Sequence, residues 1–124
     1  MSTRKKILII DDDPKNIFAL AATLKAKGFP NVAASSASEG IALLRKDSGI
    51  GIVLLDMMMP EMDGYEAITV IKSFDDLQEL PIIAVTAQAM TGDREKCLQA
   101  GANDYISKPV DVDLLLTKLN HFVV

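Results

Sequence analysis

The sequence predicts an α/β fold: a doubly wound, five-stranded parallel sheet with helices on both faces. Three observations predict it. Short aliphatic runs alternate with segments of helical periodicity along the whole chain. The runs are continuously apolar rather than alternating, which is the pattern of strands buried on both faces. Right-handed crossovers between successive parallel strands then distribute the helices over the two sides of the sheet.

Each element has a local cause. Ile7 to Ile10 is an aliphatic run bounded by charge on both sides, and is the first strand. Asp13-Pro14 supplies an N-cap and a first helical residue that needs no N–H donor. Ile17, Leu20, Ala21 and Leu24 recur at helical spacing, and Gly28 is the stop. Val32 to Ala34 is a weaker second strand. Ser36 to Glu39 matches a capping box and opens a short helix through Ile41 and Leu44. Ile52 to Leu55 is the third strand. Pro60, Asp63 and Gly64 mark a loop, and a helix carrying Ala67, Ile68 and Ile71 follows. Pro81 to Val85 is the fourth strand. Ala87 to Ala100 is helical, loose near Thr91-Gly92, and stops at Gly101. Tyr105 to Ser107 is a short fifth strand ending at Lys108-Pro109. The last helix starts near Asp111 and sets Val112, Leu115, Leu116 and Leu119 on one face.

Composition bounds the function. The 124 residues are 49% hydrophobic and 24% charged, the profile of one soluble globular domain with a single sizeable core. Net charge is -4, and no basic block or aromatic-interleaved patch is present, which argues against direct nucleic-acid binding. The start of the chain is positive. The apolar run behind it stops at three aspartates, so it is no signal peptide, and no run reaches membrane-spanning length. A cytoplasmic location is expected. The one cysteine, Cys97, excludes an intramolecular disulfide and reads as a packing residue on a helix. The one histidine, His121, reads as a surface or helix-end residue. No linker or low-complexity tract divides residues 1–124, so a single domain without an output domain is expected.

Polar residues stand at the ends of the strands. Asp11, Asp12 and Asp13 follow the first strand, Asp56 the third, Thr86 the fourth and Lys108 the fifth. Ligands of open α/β sheets bind beyond the carboxyl ends of the strands, so these side chains converge on the functional edge. Singly, each has a structural explanation. Asp13 is best read as an N-cap, Thr86 could cap the following helix, and Lys108 could be a solvated charge. Together they form a cluster of carboxylates, one hydroxyl and one ammonium. Clustered carboxylates repel one another unless a cation or protons compensate. Hard oxygen ligands from Asp11, Asp12 and Asp56 suit Mg2+, and the absence of His and Cys argues against zinc. A carboxylate can attack phosphorus to form an acyl phosphate, with Lys108 and Thr86 offsetting charge on the phosphoryl oxygens.

The segments ILIIDDDPKN at 7–16, LLDMMMPEMDG at 54–64, AVTAQA at 84–89 and GANDYISKPVD at 101–111 resemble the response-regulator receiver family, in order and spacing. The resemblance covers essentially the whole chain. It implies a flavodoxin-like sheet of order 2-1-3-4-5, an order that is general knowledge of such receivers. It further implies Asp56 as phosphoacceptor, Asp12 as direct Mg2+ ligand, Asp11 as a ligand through water, and the Met58 backbone carbonyl as a third protein ligand. Thr86 and Tyr105 correspond to the switch pair, and Lys108 to the lysine that pairs with the phosphoacceptor. Lys108-Pro109 corresponds to a cis peptide bond. Met58 and Gln88 stand where the family varies. An apolar Met58 would impede an attacking water and slow hydrolysis of the phosphorylated form. Met57-Met58-Met59 otherwise reads as packing ahead of an adaptable contact surface.

The implied partner is a histidine kinase or histidine phosphotransfer protein as phosphoryl donor. A downstream protein would read the face built from the fourth helix, fifth strand and fifth helix. The Met1 start favours a stand-alone regulator over a receiver excised from a hybrid histidine kinase. A Mg2+-dependent aspartate-nucleophile phosphatase of the haloacid dehalogenase type would carry a second aspartate where Met58 stands. A flavodoxin-like cofactor binder would need a Ser-, Thr- or Gly-rich phosphate loop in place of Asp11-Asp12-Asp13-Pro14. A degenerate receiver acting as an unphosphorylated binding module would not need the acidic site to be intact.

Overall fold

Strand β1 (Lys6–Ile10) comes first in chain order and lies inside the sheet rather than at its edge. It is followed by α1 (Pro14–Ala26), β2 (Asn31–Ala34), α2 (Ala37–Lys46), β3 (Ile50–Asp56), α3 (Gly64–Lys72), a 3₁₀ turn (Asp75–Leu77), β4 (Ile82–Thr86), α4 (Thr91–Ala100), β5 (Asp104–Ser107) and α5 (Val112–Phe122). The computed structural model describes residues 5–59, 62–86 and 91–122. The five strands form one parallel sheet of order β2-β1-β3-β4-β5. Both the doubly wound architecture and the strand order are as expected.

The apolar strand runs divide by parity between two cores. Leu8, Ile10, Val53, Leu55, Ile82 and Ala84 face one side, where α2, α3 and α4 bring Leu44, Ile68, Ile71 and Cys97. Ile7, Ile9, Ile52, Leu54, Ile83 and Val85 face the other, where α1 and α5 bring Leu24, Leu115 and Leu119. Two-sided burial is why these strands show no polar alternation. Each large aliphatic side chain buried in this way contributes about 1.5–3 kcal/mol relative to an exposed one. Strand β2 lies at the sheet edge, and three of its four residues stay half-buried, which accounts for its weak sequence signal.

The helix starts follow the chemistry of their caps. The Asp13 carboxylate accepts from Lys15 N–H at 2.9 Å, as an N-cap should, and Pro14 opens α1. The Ser36 hydroxyl accepts from Glu39 N–H at 3.1 Å. The capping box is only half realised, because the Glu39 carboxylate takes the Ser35 hydroxyl at 3.2 Å. Asp63 caps α3 through Glu66 N–H, and Asp111 caps α5 through Leu114 N–H. Gly28 ends α1 at φ +86, and Gly101 ends α4 at φ +119, both in the left-handed region that favours glycine.

The differences from expectation are local. The 3₁₀ turn has no apolar period to announce it. It is held by Lys72, which donates to the Gln78 and Leu80 carbonyls just beyond it at 2.9 and 2.7 Å. Helix α4 is described from Thr91; the expected start at Ala87 falls in residues 87–90, with Gln88 among them, which lie outside the described residues, as does Pro60. Cys97 is buried in α4 and His121 is exposed in the last turn of α5, edge-on to Phe122.

Candidate functional site

The sheet register brings the carboxyl ends of four strands to one edge. Ile10 pairs with Leu55, Asp56 with Val85, and Thr86 with Ser107. The residues that follow β1 and β5 therefore flank the last residues of β3 and β4. Asp11, Asp12, Asp56, Thr86 and Lys108 meet there, as their positions at strand ends predict.

Asp56 ends β3 and is 3% exposed. Its carboxylate is held from two sides. Met58 N–H donates to Oδ1 at 3.0 Å, and the Lys108 ammonium lies 3.3 Å from Oδ2. Asp11 is equally buried and accepts from Asp13 N–H at 2.9 Å. The Lys108 ammonium reaches Asp11 Oδ2 only at 3.9 Å. Lys108 thus leans to Asp56 while serving both carboxylates. Its backbone is fixed by a 2.7 Å hydrogen bond from Lys108 N–H to the Thr86 carbonyl, and the Lys108-Pro109 peptide is cis, as expected.

Asp12 is exposed, yet one oxygen each of Asp11, Asp12 and Asp56 all lie within 4.8 Å of one another. Among the described residues three carboxylates thus face one ammonium. Burial pushes the Asp11 carboxyl above its ordinary value; the Asp13 N–H opposes that, the Asp56 charge adds to it, and Lys108 opposes it. Excess negative charge enclosed at a sheet edge calls for a cation. The donor set is all oxygen, and the exposed Asp12 leaves one side open to water. That combination fits a small, hard, partly hydrated divalent ion.

Thr86 is buried at the end of β4, and Tyr105 is half-buried on the neighbouring strand, paired in register with Ala84. Tyr105 packs on the α2–α3–α4 core rather than at the acidic edge. A cleft of about 500 Å³ opens beside the carboxylates along α1, lined by Asp11, Asn16, Leu20, Val85, Lys108 and Pro109. Sequence reasoning missed Asn16, which has no strand-end signal, and missed the two backbone N–H donors of Met58 and Asp13. Backbone donors leave no mark in the residue types. Of the three methionines after Asp56, Met57 and Met59 are buried, as packing residues should be, and Met58 is exposed.

Known proteins resemble this chain along nearly its whole length. Residues 7–120 match the response regulator receiver domain family. The polar-differentiation response regulator DivK of Brucella anthropi is 31% identical over 119 residues, which is 96% of each chain. The receiver domain of the sensor histidine kinase PA1611 from Pseudomonas aeruginosa PAO1, solved with a magnesium ion coordinated in its active-site cleft, is 32% identical. It superposes with a TM-score of 0.87 over 97% of this chain and 98% of its own. A response regulator receiver protein from Pseudomonas putida is 29% identical, with a TM-score of 0.90 over 98% and 99% of the two chains.

Proposed function

Since this chain belongs to the response regulator receiver domain family of two-component signalling, we propose that it is a phosphorylation-activated switch whose phosphoryl acceptor is Asp56. One observation carries the reading. The Asp56 carboxylate is buried, 3.3 Å from the Lys108 ammonium, and grouped with two further carboxylates that need a cation. A carboxylate held by one ammonium and one N–H keeps its nucleophilic oxygen while its surroundings are prepared for more negative charge.

Mg2+ would be held by Asp12 directly, by Asp11 through water, by Asp56 and by the Met58 backbone carbonyl. When bound it supplies positive charge to the phosphoryl oxygens. The magnesium ion of the Pseudomonas aeruginosa receiver supports that choice of metal. The donor is a phosphohistidine of a histidine kinase or a histidine phosphotransfer protein. An Asp56 oxygen bonds to phosphorus as the P–N bond breaks, and the imidazole leaves with the electron pair. Lys108 offsets the charge that collects on the transferred group, and the Thr86 hydroxyl donates a hydrogen bond to it.

Thr86 ends a strand whose partner is β5, so its movement is transmitted to Ser107 and Tyr105 through the ladder. Tyr105 fills the space Thr86 vacates, and the face of α4, β5 and α5 changes its preferred shape. Phosphorylation acts here by favouring a state already accessible to the protein. A partner protein reads that face. An aspartate-nucleophile phosphatase is disfavoured because exposed, apolar Met58 stands where its second aspartate would be.

The test is Mg2+-dependent labelling with a small phosphodonor such as acetyl phosphate, in the wild type and in Asp56→Asn. Stable label is expected in the wild type alone. Equal label in both, or none in either, refutes the assignment.

A further inference from the structure

Three methionines follow Asp56, and the fold treats them differently. Met57 is 2% exposed and Met59 7%, whereas Met58 is 56% exposed. Met57 lies under the start of α3, against Gly64, and Met59 belongs to the core. Met62 is half-buried, and the Cys97 thiol is fully buried. Among the described residues, Met58 therefore carries the sulfur most open to solutes. The Met58 backbone is also tied to the carboxylate. Met58 N–H donates to Asp56 Oδ1 at 3.0 Å. The sulfur is three bonds beyond the Cα of that residue, so it stays within about 8 Å of the carboxylate in any rotamer.

We propose that Met58 is a peroxide-sensitive modification site, and that its sulfoxide shortens the life of the phosphoryl group on Asp56. The inference rests on the phosphoacceptor reading given above. In the modification, a sulfur lone pair attacks one oxygen of hydrogen peroxide and the O–O bond breaks. Sulfur is oxidised by two electrons to the sulfoxide, and the remaining oxygen leaves as water after taking up the peroxide's protons. The side chain keeps its length but gains a strong hydrogen-bond acceptor. A thioether beside an acyl phosphate offers water no partner. A sulfoxide oxygen in the same place accepts a hydrogen bond from water and holds it near phosphorus for attack. The buried thioethers of Met57 and Met59 are protected, so the core is unaffected. The acceptor site thereby gains a second input, the oxidant level, which acts on signal lifetime rather than on signal acquisition. The change is reversible by methionine sulfoxide reductases.

The experiment uses the full chain and Met58→Leu, each with and without mild hydrogen peroxide. Fragment-ion mass spectrometry assigns oxygen among Met57, Met58 and Met59. Each sample is then labelled with acetyl phosphate and Mg2+, freed of donor, and followed for loss of label. Met58 is expected to oxidise ahead of Met57 and Met59. The lifetime of the label is expected to fall by roughly threefold or more in the wild type, a barrier change of about 0.65 kcal/mol or more. It is expected to recover on treatment with the reductase and to be unaffected by peroxide in Met58→Leu. Oxidation of Met57 or Met59 first, an unchanged or longer lifetime, or an equal response in Met58→Leu overturns the proposal. Failure of the untreated wild type to take up label overturns the phosphoacceptor reading and this inference with it, and the arm without peroxide identifies that case.

Discussion

Replacing Gly64 with alanine tests how closely the loop after Asp56 is packed against the helix that follows it. A Cβ at Gly64 would lie 2.2 Å from Met57 Sδ, and 2.7 Å from both Met57 Cε and the Met57 Cα. The sulfur and its methyl group can swing aside. The Cα cannot, so α3 or the end of β3 must move by about 0.7 Å to reach ordinary contact at 3.4 Å. That movement strains the 3.2 Å hydrogen bond from Gly64 N–H to the Met57 carbonyl. Overpacking of this kind costs about 1–3 kcal/mol. Alanine returns about 0.4–1 kcal/mol by restricting the unfolded chain. The net loss is about 1–2 kcal/mol, or roughly 3–10 °C in melting temperature for a domain of this size. Because Met57 and Met58 are consecutive, Mg2+ affinity falls as well, read by calorimetric titration. A variant that melts with the wild type and binds Mg2+ equally would refute the packing argument.

Three further outcomes are expected. Gly28→Ala meets no atom within 4 Å, so its cost of about 1 kcal/mol comes from the left-handed backbone alone; Gly28→Asn should recover part of it in denaturant unfolding. Saturating Mg2+ should stabilise the wild type by about 2.7 kcal/mol at a hundredfold excess over Kd, and Asp12→Asn should lose most of that increment in thermal melts. Asp47, hydrogen-bonded by the Lys6 ammonium and by Gly49 N–H, has its carboxyl held below the ordinary 3.8. The folded state then binds fewer protons than the unfolded chain, so this stabilisation is present above pH 3.8 and is lost as pH falls through the lowered value. Asp47→Asn should flatten the acid limb of the stability curve, read by denaturant unfolding across acidic pH.

The chain by itself determined the layered α/β architecture, because Ile7 to Ile10 and Ile52 to Leu55 are too uniformly apolar for any strand with a wet face. It determined where the polar side chains gather, because Asp11, Asp56, Thr86 and Lys108 each end such a run. It determined the caps at Asp13 and Ser36, which depend on neighbours within a turn. Tertiary structure decided what depends on contacts distant in sequence. Lys108 is 52 positions from Asp56, and only the β3–β4–β5 register brings its ammonium closer to that carboxylate than to Asp11. The 3₁₀ turn has its clamp in Lys72, and the half-formed capping box has its cause in Ser35; neither partner is marked by a period. The three methionines are identical in sequence and differ only in burial. The pleat and the start of α3 cover Met57, the core takes Met59, and Met58 is left facing solvent beside the carboxylate.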